Sequence, residues 1–170
     1  SGKNTYTGDT QVDSGVLQVV GSLAGTTSVD ISKNAMLLVT YGGSLNDSAA
    51  VTIQKGANYI AATSDTIGSI SGGGSVKLYN ANKTLTVGAL NQDSTFSGVI
   101  SGDGSFAKTG SGILTLSGAN TYEGTTAIKG GTLKVSGSLD DAAAVSVSSG
   151  ATYDVDSTDT IGSIAGAGSV

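Results

Sequence analysis

The stretch from Ser117 to Leu139, SGANTYEGTTAIKGGTLKVSGSL, recurs without a gap at Ser1 to Leu23, SGKNTYTGDTQVDSGVLQVVGSL, with 13 identities. Within the stretch apolar and polar residues alternate, as in Leu133-Lys134-Val135, and the runs are interrupted by Gly130-Gly131. Alternation with a period of two describes a short strand with one buried face, and glycine supplies the positive φ that turns between strands need. The same alternation returns in Val29-Asp30-Ile31, Leu114-Thr115-Leu116 and Val145-Ser146-Val147. The chain therefore reads as all-β.

A second duplication relates residues 45–76 to residues 139–170, with 18 identities, among them the run Asp65 to Ile70 repeated as Asp159 to Ile164. The two offsets, 116 and 94, differ by 22, so the first copy is longer by that amount between Leu23 and Leu45. That insertion is itself a repeat. Sliding by 22 lays Leu23 on Leu45, Val29 on Val51, Ile31 on Ile53, Lys33 on Lys55 and Ala35 on Ala57. A stacked solenoid accepts an added unit in this way, because each coil touches only its neighbours. A third relation, at an offset of 30, matches Gly68, Ile70, Gly72 and Gly74 with Gly98, Ile100, Gly102 and Gly104, which reads as a coil of irregular length, about 20 to 30 residues. Units of that size with two or three short strands close most readily as rungs of a parallel β-helix. At about 4.8 Å per rung and roughly 22 residues per coil, such a rod would be about 35 to 40 Å tall. A Greek-key sandwich also uses short strands and glycine-rich turns, yet it gives no reason for an in-register insertion.

Composition narrows the function. Gly is 27 of 170 residues, charged residues are 12 % against a usual value of about 25 %, and Pro, Cys, His, Trp and Arg are absent. Scarce helix formers disfavour helix, and a hydrophobic fraction of 38 % disfavours disorder. The net charge of −5, with no Arg and no basic run, argues against nucleic acid and anionic membrane as partners. Apolar runs such as Ala35 to Val39 are far shorter than the roughly 20 residues that cross a bilayer, so no direct membrane insertion is expected of this segment. No signal peptide is legible at Ser1-Gly2-Lys3-Asn4, which is read as a segment cut from a longer precursor or exported by another route.

Residues 102–135, GDGSFAKTGSGILTLSGANTYEGTTAIKGGTLKV, resemble closely the autotransporter-associated β-strand repeat of type V secretion passengers. The matching places are Gly102, Gly104, Ser105, Lys108, Gly110, Gly112, Leu114, Leu116, Ser117, Gly118, Asn120, Tyr122, Gly124, Thr126, Ile128, Gly131 and Leu133. A partial repeat stands at residues 1–17, through Gly2, Asn4, Tyr6, Gly8, Thr10, Val12, Gly15 and Leu17. The resemblance implies a right-handed parallel β-helix over residues 1–170, part of a longer rod displayed at the bacterial cell surface, anchored to the outer membrane, or secreted. It also implies a non-catalytic role in self-association (aggregation, biofilm) or adhesion to a host surface protein or glycan. The alternative is a folding stem beneath a hydrolase domain, protease or lipase, that lies outside these residues.

Sites of chemistry are few. Without His or Cys neither a histidine triad nor the usual zinc ligands can be assembled, and no cofactor or metal is expected. The carboxylates Asp140 and Asp141, and Asp154, Asp156 and Asp159, are the candidates for glycosidase pairs, but their counterparts Asn46, Asp47, Ile60, Ala62 and Asp65 show that the set is not repeated, and a solvated loop or strand face is the better account. Gly72-Gly73-Gly74 lacks the Gly-Lys-Thr of a phosphate loop and reads as a turn. The residues singled out for surface or turn contacts are Asn4, Tyr6, Asn120 and Tyr122: an Asn amide can bond backbone at a turn, and a Tyr can pack its ring while its hydroxyl reaches water.

Overall fold

The computed structural model describes residues 2–156 and 158–170. Among them no helix occurs, and every strand pair is parallel. The strands stack into three faces of one solenoid. Face 1 has eight strands: Thr10–Val12, Ser28–Ile31, Ala50–Ile53, Ser69–Gly72, Ser94–Phe96, Ile113–Leu116, Thr132–Val135 and Thr152–Val155. Face 2 has six: Val16–Val19, Met36–Val39, Asn58–Ala61, Ser75–Leu78, Val99–Gly102 and Thr121–Tyr122. Face 3 also has six, Asp65–Ile67, Thr84–Val87, Ser105–Lys108, Thr126–Ile128, Ala144–Val147 and Ser163–Gly166, and the short pair Ser22–Leu23 and Ser44–Leu45 continues it past Asp65. At about 4.8 Å per rung the eight strands of face 1 span about 34 Å.

Burial alternates along the strands as the sequence pattern requires. Val29 and Ile31, Val51 and Ile53, Leu85 and Val87, and Leu133 and Val135 are buried, while Asp30, Thr52, Thr86 and Lys134 between them reach solvent. The inward side chains form one continuous aliphatic core, widened by Tyr59, Phe96, Phe106, Tyr122 and Tyr153. Stacking like on like removes apolar surface in vertical columns, at roughly 25 cal/mol per Å² buried. The aromatic rings sit where a neighbour leaves room: Phe96 stacks on Gly72, and Tyr122 on Gly102.

The insertion between Leu23 and Leu45 is one whole coil. Leu23 pairs with Leu45, Val29 with Val51 and Ile31 with Ile53. The offset of 30, read from the sequence as a long coil, is something else. Ser69–Gly72 lies on face 1 and its match Val99–Gly102 on face 2; Ser75–Leu78 lies on face 2 and its match Ser105–Lys108 on face 3. The rungs themselves are shorter, as where Val76 stacks on Tyr59 and Ile100 on Val76. The long duplications shift faces too. Thr10–Val12 is on face 1 but its copy Thr126–Ile128 is on face 3, and Ala50–Ile53 is on face 1 but its copy Ala144–Val147 is on face 3. The sequence therefore repeats by the face, and only the offset of 22 is a full turn.

A corner motif makes this interchange possible. Ile70-Ser71-Gly72-Gly73-Gly74-Ser75 leads from face 1 to face 2, Ile100-Ser101-Gly102-Asp103-Gly104-Ser105 from face 2 to face 3, and Ile164-Ala165-Gly166-Ala167-Gly168-Ser169 from face 3 back to face 1, where Ser169 bridges to Thr152. The first glycine has φ of +98°, +101° and +126° at the three corners, and a Cβ there would lie 2.0 to 2.3 Å from the carbonyl oxygen of the rung before. Only glycine can turn the chain this close to its neighbour.

Candidate interaction surface

Asn120 and Tyr122 are buried, both 1 % exposed, so a surface contact by these two is excluded. The motif uses them as ties between rungs. Asn120 accepts from the Ile100 amide through Oδ1 (3.0 Å) and donates through Nδ2 to the carbonyls of Ser138 (3.1 Å) and Gly118 (3.0 Å), while its own amide donates to Ser138 (2.9 Å). One side chain thereby joins three successive rungs at a corner, beside the backbone bonds that Asn120 and Ser138 make there. Tyr122 shares a hydrogen bond with the buried Thr126 hydroxyl, 2.6 Å away, and burial pushes its phenol well above the ordinary value. The partial repeat keeps part of this geometry. Tyr6 and Thr10 share a hydrogen bond of 2.6 Å, and Asn4 donates to the Ser22 carbonyl through its amide and Nδ2, but Asn4 is exposed and Tyr6 is 44 % exposed.

The ionisable groups inside the rod are also spent on backbone. Lys108, in an inward column with Ile67, Val87 and Ile128, is 1 % exposed, and its Nζ donates to the carbonyls of Thr109 (2.7 Å), Gly110 (3.1 Å) and Gly130 (3.2 Å). Burial lowers its pKa, because it disfavours the charged form. Asp65 accepts from the Leu45 amide at 3.1 Å, and Asp159, its copy, from the Leu139 amide at the same distance. Burial raises Asp65 to about 6; the amides of Leu45 and Thr66 oppose this and Asp47 adds to it. Ahead of each Asp, at matching places of the two copies, stands a buried Tyr, Tyr59 and Tyr153. Among the described residues neither hydroxyl has a hydrogen-bond partner, and burial followed by the nearby carboxylate pushes both phenols up, Tyr153 to about 12.

The carboxylates considered as catalytic pairs have other partners. Asp154 and Asp156 both hold Lys134, at 3.4 and 2.6 Å, and Asp140 accepts from the Ala142 amide at 2.9 Å. Beside Asp65 lies a shallow depression of about 350 Å³ bordered by Asp47, Ser64, Thr66, Thr84, Thr86 and Lys129. Among the described residues no group of three or more carboxylates could hold a metal ion, and no helix is long and apolar enough to cross a membrane.

What remains is the outside of the faces. On face 1 the outward column runs Gln11, Asp30, Thr52, Ser71, Thr95, Thr115, Lys134 and Asp154, in register from rung to rung. The hydroxyls of Thr52 and Ser71 share a hydrogen bond of 3.2 Å along it. The buried Lys108 and Asp65 were not singled out from sequence; the available signal was a charged residue at an inward place of an alternating strand, as in Phe106-Ala107-Lys108.

No curated protein and no solved structure matches the chain. The family model described as Passenger-associated-transport-repeat matches residues 1–19 and 106–135. Those residues include both copies of the Asn and Tyr ties, Asn4 with Tyr6 and Asn120 with Tyr122, together with the buried Lys108. Across those residues the chain is similar to passenger-associated transport repeats, and it carries both matched stretches within one stack of parallel rungs.

Proposed function

We propose that the segment is a non-catalytic rod that displays the passenger at the cell surface and joins it laterally to a second copy through face 1. The observation that supports this is the order of the outward column. Turned end over end about its midpoint, between Ser71 and Thr95, it sets Asp30 against Lys134, Thr52 against Thr115, Ser71 against Thr95, and Gln11 against Asp154. A two-fold contact of this kind is self-complementary, with each opposed pair occurring twice. The hydroxyl rows add hydrogen bonds of about 0.5 to 1.5 kcal/mol each, and the opposed charges choose the register.

Charge swapping tests it. Asp30→Lys alone faces Lys134 of the second copy, and Lys134→Asp alone faces Asp30, so each variant should sediment as monomer under conditions where the unaltered chain is dimeric. An equimolar mixture of the two variants restores both pairs and should recover the dimer. A wild-type chain that stays monomeric at high concentration, or variants that dimerise as well as it does, would end this reading and leave the rod as a stem for another domain.

A further inference from the structure

Two tyrosines project from the edge where face 2 ends: Tyr41 is 82 % exposed and Tyr79 is 56 % exposed. Tyr41 stands in a tight turn closed by the Gly43 amide donating to the Thr40 carbonyl (2.9 Å), with φ of +54° at Tyr41 and +79° at Gly42. Turns with both central residues left-handed favour Asn-Gly or Asp-Gly, and a bulky side chain is strained there. Neither burial nor turn geometry selects a tyrosine at this place. Strain kept without a gain to the fold is a mark of a functional position.

Tyr79 belongs to the same edge. The amides of Thr40, Ala62 and Tyr79 donate in turn to Val19, Val39 and Ala61, one rung apart each time, so Tyr79 is two rungs from the turn that carries Tyr41. Two rungs are about 9.6 Å. The Lys77 ammonium, 5.5 Å from the Tyr79 ring centroid, steadies the ring. Between the two tyrosines the chain passes as Ala62-Thr63-Ser64, small residues that keep the edge low. Asn80 beside Tyr79 uses one amide hydrogen on the Ala62 carbonyl (2.7 Å), which fixes its side chain and leaves its carbonyl and second hydrogen for a ligand.

We propose that this edge binds an extended β-linked polysaccharide lying along the rod axis, one sugar ring on Tyr41 and another on Tyr79. The apolar face of a pyranose packs on an aromatic ring, while its hydroxyls at the rim suit the Asn80 amide. The two-rung spacing of their backbone positions is close to that of alternate rings in an extended β-1,4-linked chain, and a low open edge admits a polymer that a closed pocket would not. An apolar protein segment would instead call for one contiguous apolar area, whereas here two rings are separated by a small, hydroxyl-bearing step. The proposal rests on the reading of the segment as a displayed adhesive rod, but it uses a different face from the lateral contact.

Titration calorimetry with chitohexaose and cellohexaose, and with the α-linked, curved maltohexaose as control, tests it. At least one β-linked hexamer should bind with a Kd below about 1 mM. Tyr41→Asn and Tyr79→Ser should each weaken that binding roughly tenfold or more. Because Asn suits the left-handed turn better than Tyr, Tyr41→Asn should melt no lower than wild type, so its loss of affinity is not loss of fold. Asp30→Lys should leave sugar binding unchanged, which separates this edge from face 1. Failure of both β-linked hexamers to bind, equal binding of maltohexaose, or indifference to both tyrosine substitutions would overturn the proposal.

Discussion

Asp65 begins an inward column that continues through Leu85, Phe106, Thr126 and Val145, and its carboxyl is raised to about 6 by burial. The unfolded chain ionises near the usual 3.8. A carboxyl with a raised folded pKa favours the fold while both states are protonated, and that contribution is lost as pH rises from about 4 through 6. The rise from 3.8 to about 6 corresponds to about 3 kcal/mol, so the wild-type rod should be less stable at pH 7 than at pH 4 by up to that amount from this residue. Asp65→Asn keeps an acceptor for the Leu45 amide without the buried charge. Urea unfolding of the variant should show a flatter profile over this range and a higher midpoint at pH 7; identical profiles for the two proteins would refute the assignment. Alternation made the place of Asp65 legible in the sequence but not its purpose, which depends on a Leu45 amide brought close only by stacking. Asn120 and Tyr122 show the same limit: their residue types pointed to turn or surface contacts, while their burial follows from neighbouring rungs that are distant in the chain.

The corner is the element that sets what the chain can tolerate. Gly102 has φ of +101°, and a Cβ would lie 2.3 Å from the Leu78 carbonyl oxygen, whereas Gly150 has φ of +77° with nothing within 4 Å of its Cβ position. Both glycines turn the chain, but only the first is also pressed against the rung before it. Gly150→Ala should therefore cost about 1 kcal/mol, the ordinary penalty for a left-handed alanine. Gly102→Ala should cost at least about 3 kcal/mol, since backbone must move to admit the methyl group. Equal melting temperatures for the two variants would show that the close approach carries no weight. The glycine spacing of this motif was plain in the sequence, and so was its recurrence from Gly72 and Gly74 to Gly102 and Gly104. Its meaning was not, because a corner looks the same whichever two faces it joins, and the distance between two corners then passes for a coil length.

At the scale of the whole rod, interchangeable faces lead to an expectation about shortening it. Removing residues 24–45 takes out one coil and joins Leu23 to Asn46, so that every downstream strand stays on its own face. Removing residues 69–98 takes out a coil and one face more, joining Gly68 to Val99 where Ser69 had been. Val99–Gly102 would then stack on Ala50–Ile53, with Gly102 beside Ile53 as Gly72 is now. Each strand beyond would move round by one face. The ties of the downstream block would travel with it, since Asn120 bonds Ile100, Gly118 and Ser138, and Lys108 bonds Thr109, Gly110 and Gly130, all beyond the cut. The chain already contains this rotation, in the copies that lie on face 1 at Thr10–Val12 and on face 3 at Thr126–Ile128. Both shortened proteins should consequently unfold in a single cooperative step, retain strand-type circular dichroism, and scatter X-rays as rods shorter by about one rung, roughly 4.8 Å. If the first folds while the second aggregates or melts without a transition, the faces are not equivalent, and the coil rather than the face is the unit in which this sequence is built.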